Sequence, residues 1–488
     1  MKIIPGTGDY DKARADIRIY AYYKEDLNAV LEAVPVSIAK HIGPRLKSAK
    51  NGLRFLSQDG VWYSFIKLDE KKKVTPESFR RFGAGIAKEI DAVSADRATV
   101  IIQAGKTGAD SAVYALTEGT VLGRYDYDEL KTSAGDSGDG GKPRAPGPVL
   151  SIYDTDRGRI QQKVIERAVR VAEATNEARR LADTPSNMMT PTAFTNIVSA
   201  KAKKEGVRVK VLERSVLQKM GWGAFLGVAR GSHEPPKVVI LEYKASNRKS
   251  NHVIVGKGIT FDSGGISIKP SSGMEDMKFD MAGAAAVAMT VILAARLKMP
   301  VNINAVIPLT ENMPGGGAQK PGDVVRTLSG KTIEIISTDA EGRLILADAL
   351  YYAARTYKPE SLIDLATLTG ACVVALGSEA SGIMGNDDGL VKGLIRAGER
   401  SGDRLWELPL WDDYKDLIKS DVADMKNAGS RWAGTIQGGL LLKEFIKDSR
   451  WAHIDIAGTA YLDKPKPYFK KGATGAGVRL LIEFFEGM

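Results

Sequence analysis

Two short stretches of this chain combine charged side chains with glycine turns in a way that suits chemistry better than packing. One is Val255-Gly-Lys-Gly-Ile-Thr-Phe-Asp-Ser-Gly-Gly-Ile-Ser-Ile-Lys269, the other Ser337-Thr-Asp-Ala-Glu-Gly-Arg343. They set Lys257, Asp262, Lys269, Asp339, Glu341 and Arg343 at the ends of apolar runs, and Asp280 follows the first stretch. Asp339 and Glu341 are separated by one alanine, so in an extended backbone both carboxylates would share a face. Carboxylates crowded in this way repel one another unless cations neutralise them. Two divalent metals sharing a carboxylate or a water meet that need, and such a pair can activate water for hydrolysis. The lysines leave two readings open. They are salt-bridge cations, or one is a neutral amine ligand with a depressed pKa and the other a charged electrophile toward a carbonyl oxygen.

The elements around these stretches are those of an α/β protein. In the first third, Ile17–Tyr22 alternates like a strand. Leu53–Leu56 and Val61–Leu68 flank the hairpin signal Asp59-Gly60, and Ala112–Leu122 has helical spacing. The Gly/Pro/Ser/Asp-rich run Ser133–Pro148 reads as a mobile loop or linker, followed by a strand at Val149–Tyr153 and a long charged helix from about Arg159 to Leu181. Beyond Asp183, apolar runs at Val207–Leu212, Val238–Tyr243, Val253–Val255, Ile303–Ile307, Ile333–Ile336, Leu362–Leu365 and Ala452–Ile456 read as buried strands. Helices are expected at about Pro191–Glu205, Gly283–Leu297, Leu344–Thr356 and Leu440–Lys447. This alternation predicts a smaller N-terminal α/β domain over 1–158, a connecting helix over 159–182, and a larger domain over 183–488. The larger domain should hold a mixed, mainly parallel sheet covered by helices, with its site beyond the carboxyl ends of the strands.

Composition narrows the class. The 488 residues, 43% of them hydrophobic, can bury a large core, and 26% charged residues do not indicate disorder. One cysteine, Cys372, excludes an internal disulfide and a cysteine-based zinc cluster and fits a reducing cytoplasm. The N-terminus has no long apolar segment of the secretory kind, and the Ala-rich run near Ala282–Leu297 is short for a membrane span, so no membrane association is expected. The net charge of +10 reads first as a solvated surface. Attraction for nucleic acid is the alternative, weakened because the basic residues are scattered and form only the short run Lys71-Lys72-Lys73.

Further segments carry a family likeness. Together with the two stretches above, Asn187-Met-Met-Thr-Pro191, Phe279-Asp-Met-Ala-Gly-Ala-Ala-Ala286, Glu311-Asn-Met-Pro314, Lys320-Pro-Gly-Asp-Val-Val325, Asp364-Leu-Ala-Thr-Leu-Thr-Gly370 and Ala452-His-Ile-Asp-Ile-Ala-Gly-Thr459 resemble the leucyl aminopeptidase family, the dinuclear metal-dependent cytosolic aminopeptidases. The resemblance covers most of Asp183–Met488 and is weak before it. It implies release of N-terminal residues from peptides, preferably leucine and other large apolar ones, by water activated between two metals. It assigns one metal to Lys257, Asp262, Asp280 and Glu341, and the other to Asp262, Asp339 and Glu341 with the main-chain carbonyl of Asp339. Lys269 would polarise the scissile carbonyl, and Arg343 would anchor a bicarbonate-like anion that helps deprotonate the water. Met277, Thr367, Leu368 and Gly370 would shape an apolar pocket for the first side chain. The resemblance implies zinc at the tighter site and exchangeable Zn, Mn or Mg at the other, although oxygen-rich ligands with an amine favour Mg or Mn on general grounds. It also implies a cytoplasmic homohexamer acting on peptide substrates.

The sequence departs from that pattern at Ser337, where asparagine is usual, and in Gly434-Thr-Ile-Gln-Gly-Gly439, which carries glycines where alanines are usual. The second departure questions the local helix start and a subunit contact, not the chemistry. Among other polar groups, the four histidines form no His-Glu-x-x-His pair, and His453 reads as a satisfied core residue. Glu275 and Asp276 read as a solvated loop, Asp348 as a packing or capping acid, and Ser263 as a turn residue without the nucleophile elbow. Asp364 stays open between a supporting acid of the site and a structural one.

Overall fold

The structure is a computed structural model that describes residues 1–49, 52–132, 147–156, 159–245 and 250–488. Most of the expected loop at Ser133–Pro148 therefore lies outside the described residues. The chain divides into two compact units, Met1–Glu173 with Lys464–Lys470, and Ala174–Asp463 with Lys471–Met488.

In the first unit, β1 (Lys2–Pro5), β2 (Ile17–Tyr22), β3 (Leu53–Leu56), β4 (Trp62–Lys67), β5 (Arg97–Ile102) and β6 (Val149–Asp154) form one sheet in the order β1-β6-β5-β2-β4-β3. Its neighbours run parallel except in the β3–β4 hairpin. The tip of that hairpin holds Gly60 at φ +81°, a conformation that favours glycine and that the Asp-Gly signal foretold. Strand β2 shows why its run is apolar apart from Arg18. Ile17 and Ile19 meet Phe79, Ile86 and Leu116 from the helices Pro76–Ala92 and Ala109–Gly123. Tyr20 and Tyr22 meet Val30, Ile42 and Leu46 from Leu27–Glu32 and Val36–Ser48 on the other face. Side chains alternate between faces with period two, and here both faces are covered.

The second unit is built on a nine-stranded mixed sheet. It contains β7 (Arg208–Glu213), β8 (Lys237–Tyr243), β9 (Asn251–Gly256), β10 (Gly258–Asp262), β11 (Asn302–Asn312) and the strands Ser361–Ala366, Ser381–Gly385, Leu405–Glu407 and Trp451–Asp455. The central pairings Trp451–Asp455 with Ser361–Ala366, Ser361–Ala366 with β9, and β9 with β11 are parallel, whereas β11–β8 and β8–β7 are antiparallel. Strand β11 is long enough to pair with β9 along its first half and with β10 along its second. The chain breaks between β9 and β10 at Lys257, whose N–H donates to Leu365 O at 3.0 Å. The core joins strand residues such as Val253, Val255 and Val306 to Leu344, Ile345 and Leu350 of the helix Gly342–Tyr357. The stretch Met274–Arg296 is, among the described residues, the one helical segment long and apolar enough to cross a membrane, and 89% of its apolar window is buried inside the fold. It occupies the position of a core helix.

Two sequence expectations need correction, and one strand had not been expected. The run Ile333–Ile336 is the strand Thr332–Glu334, and it belongs to a separate three-stranded sheet with Val324–Arg326 and Met425–Lys426. The helix expected at Leu440–Lys447 spans Gly434–Lys443, because its glycines mask a segment buried from Thr435 to Leu442. It starts after Ala433, at φ +52°. Strand β10, interrupted by glycines at its start, had no distinct sequence signal.

Candidate metal centre

The charged residues of the two glycine-rich stretches converge beyond the carboxyl ends of the central strands. Lys257 follows β9, Asp262 ends β10, Asp280 lies in the 3-10 turn Met274–Met281, and Glu341 caps the helix Gly342–Tyr357. Asp262, Asp280 and Glu341 are all buried, and each offers an oxygen within 4.8 Å of the others. The reading of Asp339 and Glu341 as alternate residues of an extended segment is overturned. Glu341 has helical backbone angles, φ −80° and ψ −33°, and the acids approach the cluster through a turn that runs into the helix. Placing Glu341 at a helix N-terminus favours its negative charge. Asp339 sits at the exposed edge of the group.

Lys257 is 2% exposed and lies among the acids. Its ammonium donates to Asp280 Oδ1 at 2.8 Å and to Thr367 O at 2.8 Å, and contacts Glu341 Oε1 at 2.9 Å. Burial pushes its pKa down, but Asp280, Glu341 and Asp262 outweigh that and hold it above the ordinary lysine range. Lys269 reaches Asp262 Oδ2 at 2.8 Å and also pairs with Asp339. Its pKa too is lowered by burial and raised further by Asp262, Glu341 and Asp339, with a net rise. Burial pushes the Asp280 carboxyl well up, against the pull of Lys257, and burial with Asp262 raises Glu341.

Glycines make this crowding possible. A Cβ on Gly342 would lie 2.7 Å from Lys257 Cε and 2.8 Å from its Nζ. Gly264 and Gly265 hold φ of +87° and +66° in the turn after Asp262, where L side chains are strained.

The donor set fits a cation. The carboxylates of Asp262, Asp280, Asp339 and Glu341 outnumber the two lysines that touch them. Asp280 Oδ2 and Glu341 Oε2 are buried without a hydrogen-bond partner. Such oxygens are costly to leave unsatisfied, and a metal would satisfy them.

Several neighbours were missed or read differently in the sequence. Thr367, expected to line a pocket, donates its hydroxyl to Asp280 Oδ1 at 2.6 Å. Asn427, with no local signal, accepts from Ile336 N at 2.8 Å and donates to Ser337 O at 2.6 Å, while its own carbonyl accepts from Arg343 Nη1 at 2.6 Å. Ser337 Oγ accepts from Asp339 N at 3.3 Å. Arg343 is buried, with Nε unpartnered and its pKa lowered by burial. Leu368 N donates to the buried Asp455 at 3.1 Å, and Leu368 Cδ2 lies where a Cβ on Gly438 would meet it at 2.9 Å. Gly370 begins the helix Gly370–Leu376, and Met277 is half-buried in the 3-10 turn. Asp364 belongs to the core: its oxygens take Trp451 Nε1 at 2.7 Å and His453 Nδ1 at 2.6 Å. Asp348 accepts from Phe225 N at 2.9 Å and Leu328 N at 2.7 Å, and burial raises its pKa to about 7.

The sequence model described as cytosol aminopeptidase family, catalytic domain, matches residues 176–482, and that of the family's N-terminal domain matches residues 62–134. The chain belongs to the cytosol aminopeptidase family. A Geobacter sulfurreducens protein named probable cytosol aminopeptidase is 47% identical over 427 residues, covering 86% of this chain and 84% of its own. A relative of the same name from Geobacter sp. strain M21 is 50% identical over 367 residues, 75% of this chain and 74% of its own. Among solved structures, the bottromycin maturation enzyme BotP in complex with Mn is similar with a TM-score of 0.85 and 34% identity, covering 97% of this chain and 99% of that one. This cytosol aminopeptidase family member is a metal-dependent aminopeptidase, and its mixed α/β fold in two units agrees with that assignment.

Proposed function

We propose that the enzyme removes N-terminal residues, preferably leucine and other large apolar ones, from peptides with the help of two divalent ions. The observation that carries this reading is the buried meeting of Asp262, Asp280, Glu341 and Lys257 with two carboxylate oxygens left unpartnered. Lys257, Asp262, Asp280 and Glu341 would hold one ion, and Asp262, Asp339 and Glu341 the other. Zinc, manganese and magnesium are the ions to test, and the Mn complex of BotP makes Mn the first choice. When bound, the ions supply an acidified water as nucleophile and an anchor for the substrate's free α-amine.

The protein's own groups do the rest. Lys269, held charged beside Asp262 and Asp339, would donate to the oxygen of the scissile carbonyl as negative charge develops there. Arg343 brings a buried positive charge next to Glu341 and would hold a small anion such as bicarbonate, which would supply a base there. Thr367, Leu368 and Gly370, with Met277, would bound the pocket for the first side chain. We further propose a cytoplasmic homohexamer; light scattering returning a monomer mass would exclude the hexamer.

The test of the whole reading is metal removal. Purified protein should carry up to two divalent ions per chain, and chelation should abolish hydrolysis of leucine amides and leucine-terminated dipeptides, with zinc or manganese restoring it. Full turnover by a metal-free sample would refute it.

A further inference from the structure

We propose that Asn312 is a positioning residue that fixes the orientation of Asp262 and ties together the two loops carrying the metal ligands. The inference rests on the metal-centre reading above. Asn312 ends β11, and the β10–β11 register pairs it with Asp262 across the sheet. It is 2% exposed. Its single amide nitrogen donates both hydrogens: one to Asp262 Oδ1 at 2.7 Å, the other to Thr338 O at 3.0 Å. The first holds the loop after β10, the second holds the loop before Glu341.

The tie is doubled around it. Asn312 O accepts from Ser263 N at 3.0 Å and from Ser263 Oγ at 2.7 Å. Thr338 Oγ1 donates to Gly264 O at 2.6 Å and accepts from Ser267 N at 2.8 Å, and Ser267 Oγ accepts from Thr338 N at 3.1 Å. Only Asn312 reaches the Asp262 carboxylate itself from this network of side chains. With Gly264 N also on Oδ1 at 2.9 Å, it leaves Oδ2 directed to the Lys269 side, where the second loop's Asp339 also pairs.

The chemistry requires an amide here. A carboxylate of the same shape would have no hydrogens to give and would add a further negative charge against Asp262. Partners that orient a ligating carboxylate govern metal affinity, so the effect should appear in binding of the ion and not only in turnover.

The test measures Mn2+ binding by equilibrium dialysis in the parent protein and in the Asn312→Ser, Asn312→Asp and Thr338→Val variants, alongside their melting curves. Asn312→Ser and Asn312→Asp should weaken Mn2+ binding by about 10- to 100-fold, and Thr338→Val, which leaves Asp262's own hydrogen bonds in place, by less than about tenfold. A purely structural asparagine would lower the melting temperature and leave the Mn2+ affinity of the folded variant unchanged. Parent-like affinity in folded Asn312→Ser would overturn the proposal, and if that variant does not fold, parent-like affinity in Asn312→Asp does so instead. A larger loss in Thr338→Val than in Asn312→Ser would overturn it as well. If the parent itself binds no Mn2+, it is the metal-centre reading that fails.

Discussion

Replacing Gly342 by alanine is the sharpest probe of how the site is packed. The new Cβ would lie 2.7 Å from Lys257 Cε and 2.8 Å from Nζ. Carbon contacts are comfortable only from about 3.5 Å, so the tip of Lys257 must retreat by roughly 0.8 Å. A lysine tip is usually free to move, but this one is buried and fixed by Asp280 at 2.8 Å, Thr367 O at 2.8 Å and Glu341 at 2.9 Å. A shift of that size takes such contacts beyond hydrogen-bonding range. Losing one or two charge-assisted bonds at roughly 2 kcal/mol each predicts a fall in kcat/KM of about 30- to 1,000-fold. The helix should gain, because alanine is favoured over glycine within helices by roughly 0.5–1 kcal/mol. That gain is smaller than the loss of one or two buried charge-assisted bonds, so Gly342→Ala should melt below the parent while also losing activity toward leucine amide and binding metal less tightly. An enzyme within threefold of the parent and with parent-like metal content would show that these contacts do not set the position of Lys257.

Three further outcomes are expected. Glu341→Gln should lose metal and activity together, whereas Asp339→Asn, at the exposed edge, should lose less metal; Lys269→Ala should keep its metal, read by mass spectrometry, and lose turnover. Asp348, with its folded pKa raised by burial to about 7, binds its proton more tightly folded than unfolded, so its contribution is fully present below its ordinary value of 3.8 and is lost as pH rises through about 7. Asp348→Asn should therefore lie furthest below the parent in melting temperature near pH 5 and less far below it near pH 8; an equal gap at both would contradict this. Gly438→Ala places a Cβ 2.9 Å from Leu368 Cδ2 and should push that side chain toward the pocket, lowering kcat/KM for leucine amide relative to alanine amide, with an unchanged ratio counting against Leu368 as a pocket wall.

What could be read from the chain in advance was the chemistry with a local signature. Asp262, Asp280, Asp339 and Glu341 stood out because charge beside glycine at the ends of apolar runs has little use in packing, and central strands near them, at Val253–Val255 and Leu362–Leu365, were visible as apolar runs, although β10, which ends at Asp262, was not. The turn geometry at Glu341 was not, because the sequence Asp-Ala-Glu-Gly suits an extended pair as well as a helix cap. Asn312 and Thr338 lay inside segments that stood out but had no legible role of their own, and Asn427 lay outside them; the reason is a different one. An amide or hydroxyl becomes informative only when a distant segment brings its partner, as Asn427 does for Ser337 and Arg343. The strand Thr332–Glu334 was recognised as a strand, but its departure from the main sheet is decided by pairing with Met425–Lys426 far along the chain.

The same long spans govern when the site comes into being. Lys257 meets Thr367 across 110 residues, and Arg343 meets Asn427 across 84. During synthesis the acids of the first loop emerge long before the carbonyl and amide that finish their surroundings, and non-local closures of this kind are slow to form. A growing chain therefore carries its ligands for a time without a completed enclosure around them. A fragment ending before Asn427 would lack the main-chain oxygen that accepts from Arg343 and the amide that holds Ser337.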